Sequence, residues 1–519
     1  MGLRQALVDK GKQALLRPSV MRWVSDDRVM KATEGLLDAR GRLKAAWSVL
    51  KNGHELPNVD PALDENIGTS APATSARNGH ASAASNGHAK SAAAPAKDIS
   101  SGSSDMDESM KERTTLASIG GKDVFEKAYK FMAADNARKM GIYPFFRPLD
   151  FNDGPEAEIN GKRVLMLGSN NYLGLTKHPK VREAARDAID RFGTSMTGSR
   201  LVNGSMKLHE ELEEKLAAFM GKESALVFTT GYQVNIATCA ALLSNKQTTA
   251  FIDRNVHASL YDGVRLGQAA GAKLVRYKHN DAESLDRALE KLDPGEGAFV
   301  ITDGVFSAEG EIAKLDELVP VVKKHSARIL VDDAHAVGVI GPGGRGTAHS
   351  FGLESQVDLI GGTFSKSFAS IGGYLVGERK VLDYIRHFAP SFMFAASAAP
   401  PQVAAAMASL EVMQEEGWRM EKLRENFTYM RDELRKLGFE LGHTQTAVIP
   451  IFIRQDLRTI MMWRDLLEDH GVYTNPFISP GVPPKSAMLR TSYMATHERH
   501  HLDRALEAFA KVGKKYGVI

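Results

Sequence analysis

From about residue 110 to the C-terminus, short apolar runs alternate with longer stretches whose apolar residues recur every three or four positions. The runs at 225–228, 298–301, 328–331 and 357–360 have the length and branched, apolar composition of buried strands. Between them lie helical patterns such as 178–192, where Val181, Ala185, Ala188 and Phe192 share one face. Alternation of this kind predicts an α/β fold, a mostly parallel sheet wrapped by helices. Ligands in such sheets bind where strands end and loops begin.

Ahead of this core the pattern changes twice. Residues 1–52 predict two helices parted near Arg17 and Pro18, because the residue before a proline is biased away from helix. The second carries a seam of Val29, Ala32, Leu36, Ala39, Leu43, Ala46 and Leu50 at spacings of three and four. This zone holds eleven Lys/Arg against five Asp/Glu. It reads either as a tether to a partner helix or an anionic membrane surface, or as a hairpin that covers only itself or the core. The stretch GTSAPATSARNGHASAASNGHAKSAAAPAKDISSGSSD then has no large apolar residue except Ile99. It cannot bury enough surface to offset its ordering entropy, so a disordered linker is expected. Its NGH triplets read as solvated histidines. The expected organisation is a helical extension over 1–67, the linker over 68–108, an N-terminal arm over 109–175, a large cofactor-binding domain over 176–400 and a smaller C-terminal α/β domain over 401–519.

Composition narrows the class. Hydrophobic content of 43% and charged content of 25% over 519 residues are ordinary for a globular protein. A net charge of +3 gives no electrostatic case for nucleic acid. The single cysteine, Cys239, rules out an intrachain disulfide framework or cysteine-rich zinc site and fits a reducing cytoplasm. No run reaches the roughly 18 apolar residues of a membrane span. Charges interrupt the N-terminus where a signal peptide would be apolar. A cytoplasmic protein without a metal is expected.

Four of the strand-like runs end in polar clusters. TTGYQVN follows the first and opens a helix at Gly231 and Tyr232, whose free N–H groups suit a phosphate. TDGVFSAEG places Ser307 just past the second, and DDAHAVG places Asp332 and His335 past the third. GGTFSKSFASIGG places Lys366 among serines and glycines after the fourth. Each residue alone has a plain structural reading: a lysine in a Ser/Gly loop is usually solvated, and an aspartate at a strand end is most often a helix cap. Together, at consecutive strand ends, they suggest an aldehyde cofactor with a pyridine ring. A lysine amine can lose its proton and attack the aldehyde, which an arginine cannot. A buried aspartate would keep the ring nitrogen protonated, so that the ring withdraws electrons from a carbanion.

The motifs SNNYLGL (169–175), GSRLVNGS (198–205), TTGYQVN, HASLYDG (257–263), VDDAHAVGVIG, GTFSKSF and MLRTSYMATH occur in this order. In them the chain resembles the α-oxoamine synthase family of fold-type I pyridoxal 5'-phosphate (PLP) enzymes, from about Lys127 to the end. The resemblance implies Lys366 as the Schiff-base lysine, Asp332 on the ring nitrogen, His257 stacked on the ring and His335 on its phenolic oxygen. Gly231, Tyr232, Thr363 and Ser365 would hold the phosphate. Arg490 would clamp the substrate carboxylate, with Asn171 and Ser307 as further contacts. It also implies a homodimer, with an amino acid and an acyl-CoA as substrates. Relatives that lose the lysine act as inactive scaffolds, but Lys366 stands here with its full neighbourhood.

Two positions depart from the family pattern. Asp333 stands where Glu is common, and Ala395 stands where many relatives have Thr or Ser on the neighbouring subunit's phosphate. GPGGRG (341–346) looks like part of a dinucleotide fingerprint, yet it lacks the strand-turn-helix frame. The segments MGIYPFFRPLD, YKHND, TAVIPIFIR and NPFISPGVPP resemble the serine-using, palmitoyl-CoA branch of the family. KVGKKYGVI is similar to a glycine-using branch. The expected reaction is a decarboxylative condensation of L-serine with palmitoyl-CoA, and the glycine- and alanine-using branches are the alternatives.

Overall fold

Apolar alternation becomes a computed structural model that describes residues 123–519. The extension, the linker and the basic apolar-seamed zone lie outside the described residues. The chain divides into two units at Met140. The described part of the first holds two short helices, Glu126–Tyr129 and Ala133–Lys139.

The second unit, Gly141–Ile519, contains three sheets. Strands β1 (Phe151–Asn152), β2 (Glu156–Ile159) and β3 (Lys162–Met166) form an antiparallel meander. The large sheet comprises β4 (Ser224–Phe228), β5 (Thr248–Asp253), β6 (Lys273–Tyr277), β7 (Gly297–Asp303), β8 (Arg328–Asp332), β9 (Leu359–Thr363) and β10 (Gly373–Gly377). Their order is β4-β10-β9-β8-β7-β5-β6, and β10 alone runs against its neighbours, so the sheet is mostly parallel as expected. Of the remaining strands, β11 (Val448–Phe452), β14 (Met488–Ser492) and β13 (Asn475–Phe477) form a small antiparallel sheet in that order. Strand β12 (Val472–Tyr473) joins β3 in parallel.

The central strands are apolar because helices cover both faces. Val300, Ile301, Leu330 and Val331 have no exposed surface, and each contributes about 1.5–3 kcal/mol by burial. The expected helix at 178–192 is Pro179–Phe192, with His178 ahead of its first turn and Val181 and Ala188 buried where it packs on the helix Pro400–Glu415. One boundary differs from expectation. Strand β9 starts at Leu359 and continues through Gly361 and Gly362, which the sequence pattern assigns to the loop. A β-carbon on Gly362 would meet the Tyr374 ring at 2.5 Å. Glycine, usually weak in a strand, is required there by close approach. GPGGRG follows a turn and forms a single 3-10 turn, Pro342–Gly344, so the dinucleotide frame is absent as expected.

In the parallel register Asp303 lies beside Asp332, and Asp332 beside Gly361. The strand ends therefore bring their polar residues into one row.

Candidate active site

A cavity of about 350 Å³ opens at this row, walled by Gly231, Tyr232, His257, Asp332, His335, Thr363, Ser365 and Lys366 among others. Each of these eight residues was expected at the site from sequence, and the structure brings them together.

One end of the cavity is built for an anion. The helix Gly231–Leu242 begins there, capped by Thr230, whose hydroxyl accepts the Gln233 N–H at 3.1 Å. The Gly231 and Tyr232 N–H groups belong to the first turn, which has no intrahelical acceptors, and they carry the positive end of the helix dipole. Opposite, Thr363 Oγ1 and Ser365 Oγ lie 2.9 Å apart. A β-carbon on Gly231 would come 2.7 Å from Thr363, so the cradle exists because this residue has no side chain. Gly231→Ala is expected to weaken PLP binding about tenfold or more while the protein stays folded, since overpacking of this kind costs about 1–3 kcal/mol. Fluorescence titration with PLP checks it, and unchanged affinity would contradict the cradle.

Lys366 sits on a tight turn between the buried Phe364 and Phe368, which pack on Tyr374. The Ser367 hydroxyl donates to the Val337 carbonyl at 2.7 Å and ties the turn to the His335 loop. Burial lowers the lysine's pKa to about 8, with Asp332 opposing that shift. The neutral, nucleophilic amine is thus available near neutral pH. Capture of PLP by the cofactor-free chain should quicken with pH, roughly tenfold per unit, until about 8 and then level off. Stopped-flow absorbance measures this; a rate still climbing at about 10, where an ordinary lysine titrates, would contradict it.

Asp332 ends β8 with both oxygens held. Oδ1 accepts the Ala334 N–H at 3.0 Å, and Oδ2 accepts from Asn235 Nδ2 at 2.7 Å. Asp303, at the same level of β7, accepts the His257 N–H at 3.3 Å. Burial, then the Asp332 charge, push its carboxyl well above the usual carboxylate range. His257 opens into the cavity, where desolvation first and Lys366 next oppose Asp332 and lower its pKa. The Tyr232 ring stands edge-on to it at 6.1 Å. His335 Nδ1 shares a 2.7 Å hydrogen bond with the Tyr172 hydroxyl, and burial holds its pKa well below the ordinary value.

Arg490, Ser307 and Asn171 were expected beside these residues, and none lies on the cavity wall. Arg490, in β14, is 3% exposed. Its Nε donates to the Ser307 carbonyl at 2.6 Å, and its Nη1 donates to Asn170 Oδ1 at 3.0 Å and Ser492 Oγ at 2.8 Å. Ser307 thus contributes backbone, not its hydroxyl. Asn171 instead donates to Thr176 at 3.0 Å, and its neighbour Asn170 is the one that meets the guanidinium. Sequence reasoning also missed Tyr172, Asn235, Ser259 and Asp303. Each lay inside a motif it quoted, but as a polar residue within an apolar run or strand.

The departures from the family pattern find places. Asp333 points away from the cavity and accepts the Thr347 N–H at 2.9 Å, and burial pushes it up to about 7. It is wedged against Gly346, where a β-carbon would come 2.2 Å from its Oδ2. Ala395 lies in the loop joined to 198–200 by the Ser199–Ala396 bridge.

Residues 162–509 match the family Aminotransferase class I and II. A serine palmitoyltransferase of Sphingobacterium spiritivorum is 42% identical over 390 residues, covering 75% of this chain and 96% of that protein. An 8-amino-7-oxononanoate synthase of Thermoanaerobacter pseudethanolicus is 39% identical over 386 residues, covering 74% and 96%. The solved serine palmitoyltransferase of S. paucimobilis with bound PLP and myriocin superposes with a TM-score of 0.74 at 35% identity, covering 77% of this chain and 100% of that one. With that match and those relatives, the chain belongs to the aminotransferase class I and II family, in its α-oxoamine synthase branch.

Proposed function

We propose that this chain is a PLP-dependent acyltransferase that condenses L-serine with palmitoyl-CoA, releasing carbon dioxide and coenzyme A, to give 3-ketodihydrosphingosine, the first step of sphingolipid synthesis. The observation that carries it is the convergence of a lysine amine poised near neutral pH, a held carboxylate and a glycine-built anion cradle in one cavity. Its relatives named serine palmitoyltransferase reach 43% identity, against 39% for 8-amino-7-oxononanoate synthase. That second relative keeps another α-oxoamine synthase reaction, with alanine or glycine as the amino acid, as the competing reading.

When bound, PLP supplies a protonated pyridine that withdraws electrons from the substrate's α-carbon. Asp332 would keep that ring nitrogen protonated. Gly231, Tyr232, Thr363 and Ser365 would hold the phosphate, His257 would cover one ring face, and His335 would meet the phenolic oxygen. Lys366 would supply the amine that holds the aldehyde, and its free amine is the base placed to take the substrate's α-proton. Arg490, bonded to Ser307, Asn170 and Ser492 and set off the cavity wall, is the guanidinium we assign to the substrate carboxylate. Borohydride treatment of the PLP-loaded chain followed by peptide mass spectrometry is expected to find the pyridoxyl group on Lys366. Its absence there would refute the assignment.

The active form is a homodimer in this reading. Ile371 is exposed on the cavity wall, and Leu201, Val202 and Phe394 are exposed on loops joined through the Ser199–Ala396 bridge and the Thr229–Ala396 hydrogen bond. A patch of this kind is what a second copy covers. A monomer in sedimentation at assay concentration would overturn it. Among the described residues no helix is long and apolar enough to cross a membrane. We place the enzyme in the cytoplasm, with peripheral membrane contact through residues 1–52. Equal cosedimentation with anionic vesicles of the full chain and of one lacking those residues would refute that contact. The large domain over 176–400 and the small domain over 401–519 are retained in this reading.

A further inference from the structure

His257 caps the helix Ala258–Ala269, and its Nδ1 faces two groups of Ser259. The Ser259 N–H donates to Nδ1 at 3.3 Å, and the Ser259 hydroxyl lies 2.7 Å from the same nitrogen. A backbone N–H can only donate, so Nδ1 is the unprotonated nitrogen and the proton of the neutral ring is on Nε2. The hydroxyl must then donate to Nδ1 as well, which leaves its lone pairs for another donor. Asn235 supplies one, its Nδ2 lying 2.8 Å from Ser259 Oγ. The other Nδ2 hydrogen goes to Asp332 Oδ2 at 2.7 Å.

These directions close without a conflict. Asn235 and Ser259 are 2% and 1% exposed, so water does not compete for them. The Asn235 side-chain oxygen, Oδ1, is buried with no partner among the described residues. The amide therefore serves through both its N–H bonds while its acceptor goes unused. Close packing of two helices makes the contact reachable: a β-carbon on Gly263 would meet the backbone carbonyl of Asn235 at 2.8 Å.

We propose that Asn235 and Ser259 are positioning residues that form one relay, Asp332–Asn235–Ser259–His257, fixing the Asp332 carboxylate and holding His257 with its proton on Nε2. The relay rests on the reading that Asp332 and His257 serve the same bound cofactor, one at its ring nitrogen and the other on its face. A hydrogen bond donated to the neutral form of an imidazole opposes its protonation. Removing Ser259's hydroxyl removes one such bond. Removing Asn235 frees that hydroxyl to turn and accept a proton from Nδ1. Both changes favour the imidazolium.

The test is carbethoxylation of the full, cofactor-free chain across a pH series, with the His257 peptide quantified by mass spectrometry. The titratable groups facing His257 are Asp332, Lys366 and Asp262, Asp303 at its N–H, Tyr232 at its ring and His335, and no variant replaces any of them. Ser259→Ala and Asn235→Ala are both expected to raise the His257 midpoint by roughly half to one pH unit. Ser259→Thr, which keeps the hydroxyl, is expected to match the parent chain, and the His387 peptide serves as an unmoved control. A shift in Asn235→Ala counts for the relay when Ser259→Ala shifts alike; a shift confined to Asn235→Ala would assign the effect to the freed Asp332 charge and overturn the relay. Identical midpoints in all chains would overturn the relay, and a shift confined to Ser259→Ala would remove Asn235 from it. If Asn235→Ala does not fold, the Ser259→Ala and Ser259→Thr pair decides. Loss of PLP binding in the parent chain with the midpoint shifts intact would sink the cofactor reading and leave the relay standing.

Discussion

Lys366→Ala is expected to lower turnover by about 10³-fold or more without lowering the thermal midpoint. The side chain carries the chemistry, while the turn around it is held by backbone bonds that do not use it. Ser370 N–H reaches the Phe364 carbonyl at 2.8 Å and Ala369 N–H reaches the Lys366 carbonyl at 2.9 Å. The sign of the stability change follows from the depressed pKa. The folded chain holds Lys366 at about 8, against about 10.4 when unfolded. The native state therefore binds fewer protons than the unfolded state between those values, and its stability falls as pH drops through that window. Near neutral pH the ammonium form is a burden that alanine removes. Turnover with saturating PLP and thermal melting by circular dichroism measure the two halves. Residual activity within tenfold of the parent chain would mean that another amine does the work.

Asp332→Ala should reduce PLP affinity and turnover together, each by about 10²-fold or more. Removing one member of a buried charge-paired contact costs about 3–5 kcal/mol, and every 1.4 kcal/mol is tenfold. Unlike the lysine change, this one should also destabilise the fold. The Asn235 amide, bonded to Asp332 at 2.7 Å, would lose a buried acceptor, a loss of about 1–3 kcal/mol. Equilibrium titration with PLP and urea unfolding read the two effects separately. A variant that binds PLP as tightly as the parent would remove Asp332 from the ring nitrogen.

The sheet and the cavity wall were legible because they rest on local signals. Apolar runs of strand length ended in polar clusters, and the parallel register placed those ends at one level, so Asp332 and the Lys366 turn had to lie near each other. What could not be read was side-chain direction where neighbours are chemically alike. Asn170 and Asn171 are adjacent and identical in type. The turn in which Tyr172 N–H bonds the Asn170 carbonyl and Gly174 N–H bonds the Asn171 carbonyl decides which one meets Arg490. Ser307 was placed correctly past a strand, but only its carbonyl reaches Arg490. Asn235 and Ser259 were hidden by position: a polar residue in the first turns of the helices Gly231–Leu242 and Ala258–Ala269 is a signal only once the two helices face each other.

The most direct test of the proposed reaction adds L-serine, glycine and L-alanine separately to the PLP-loaded chain with palmitoyl-CoA, following free thiol and carbon dioxide. Release of both with L-serine, in equal amounts and well above the other two, is the expected result. Release with glycine or L-alanine alone would keep the site and overturn the substrate, and no release with any of them would contradict the enzyme itself.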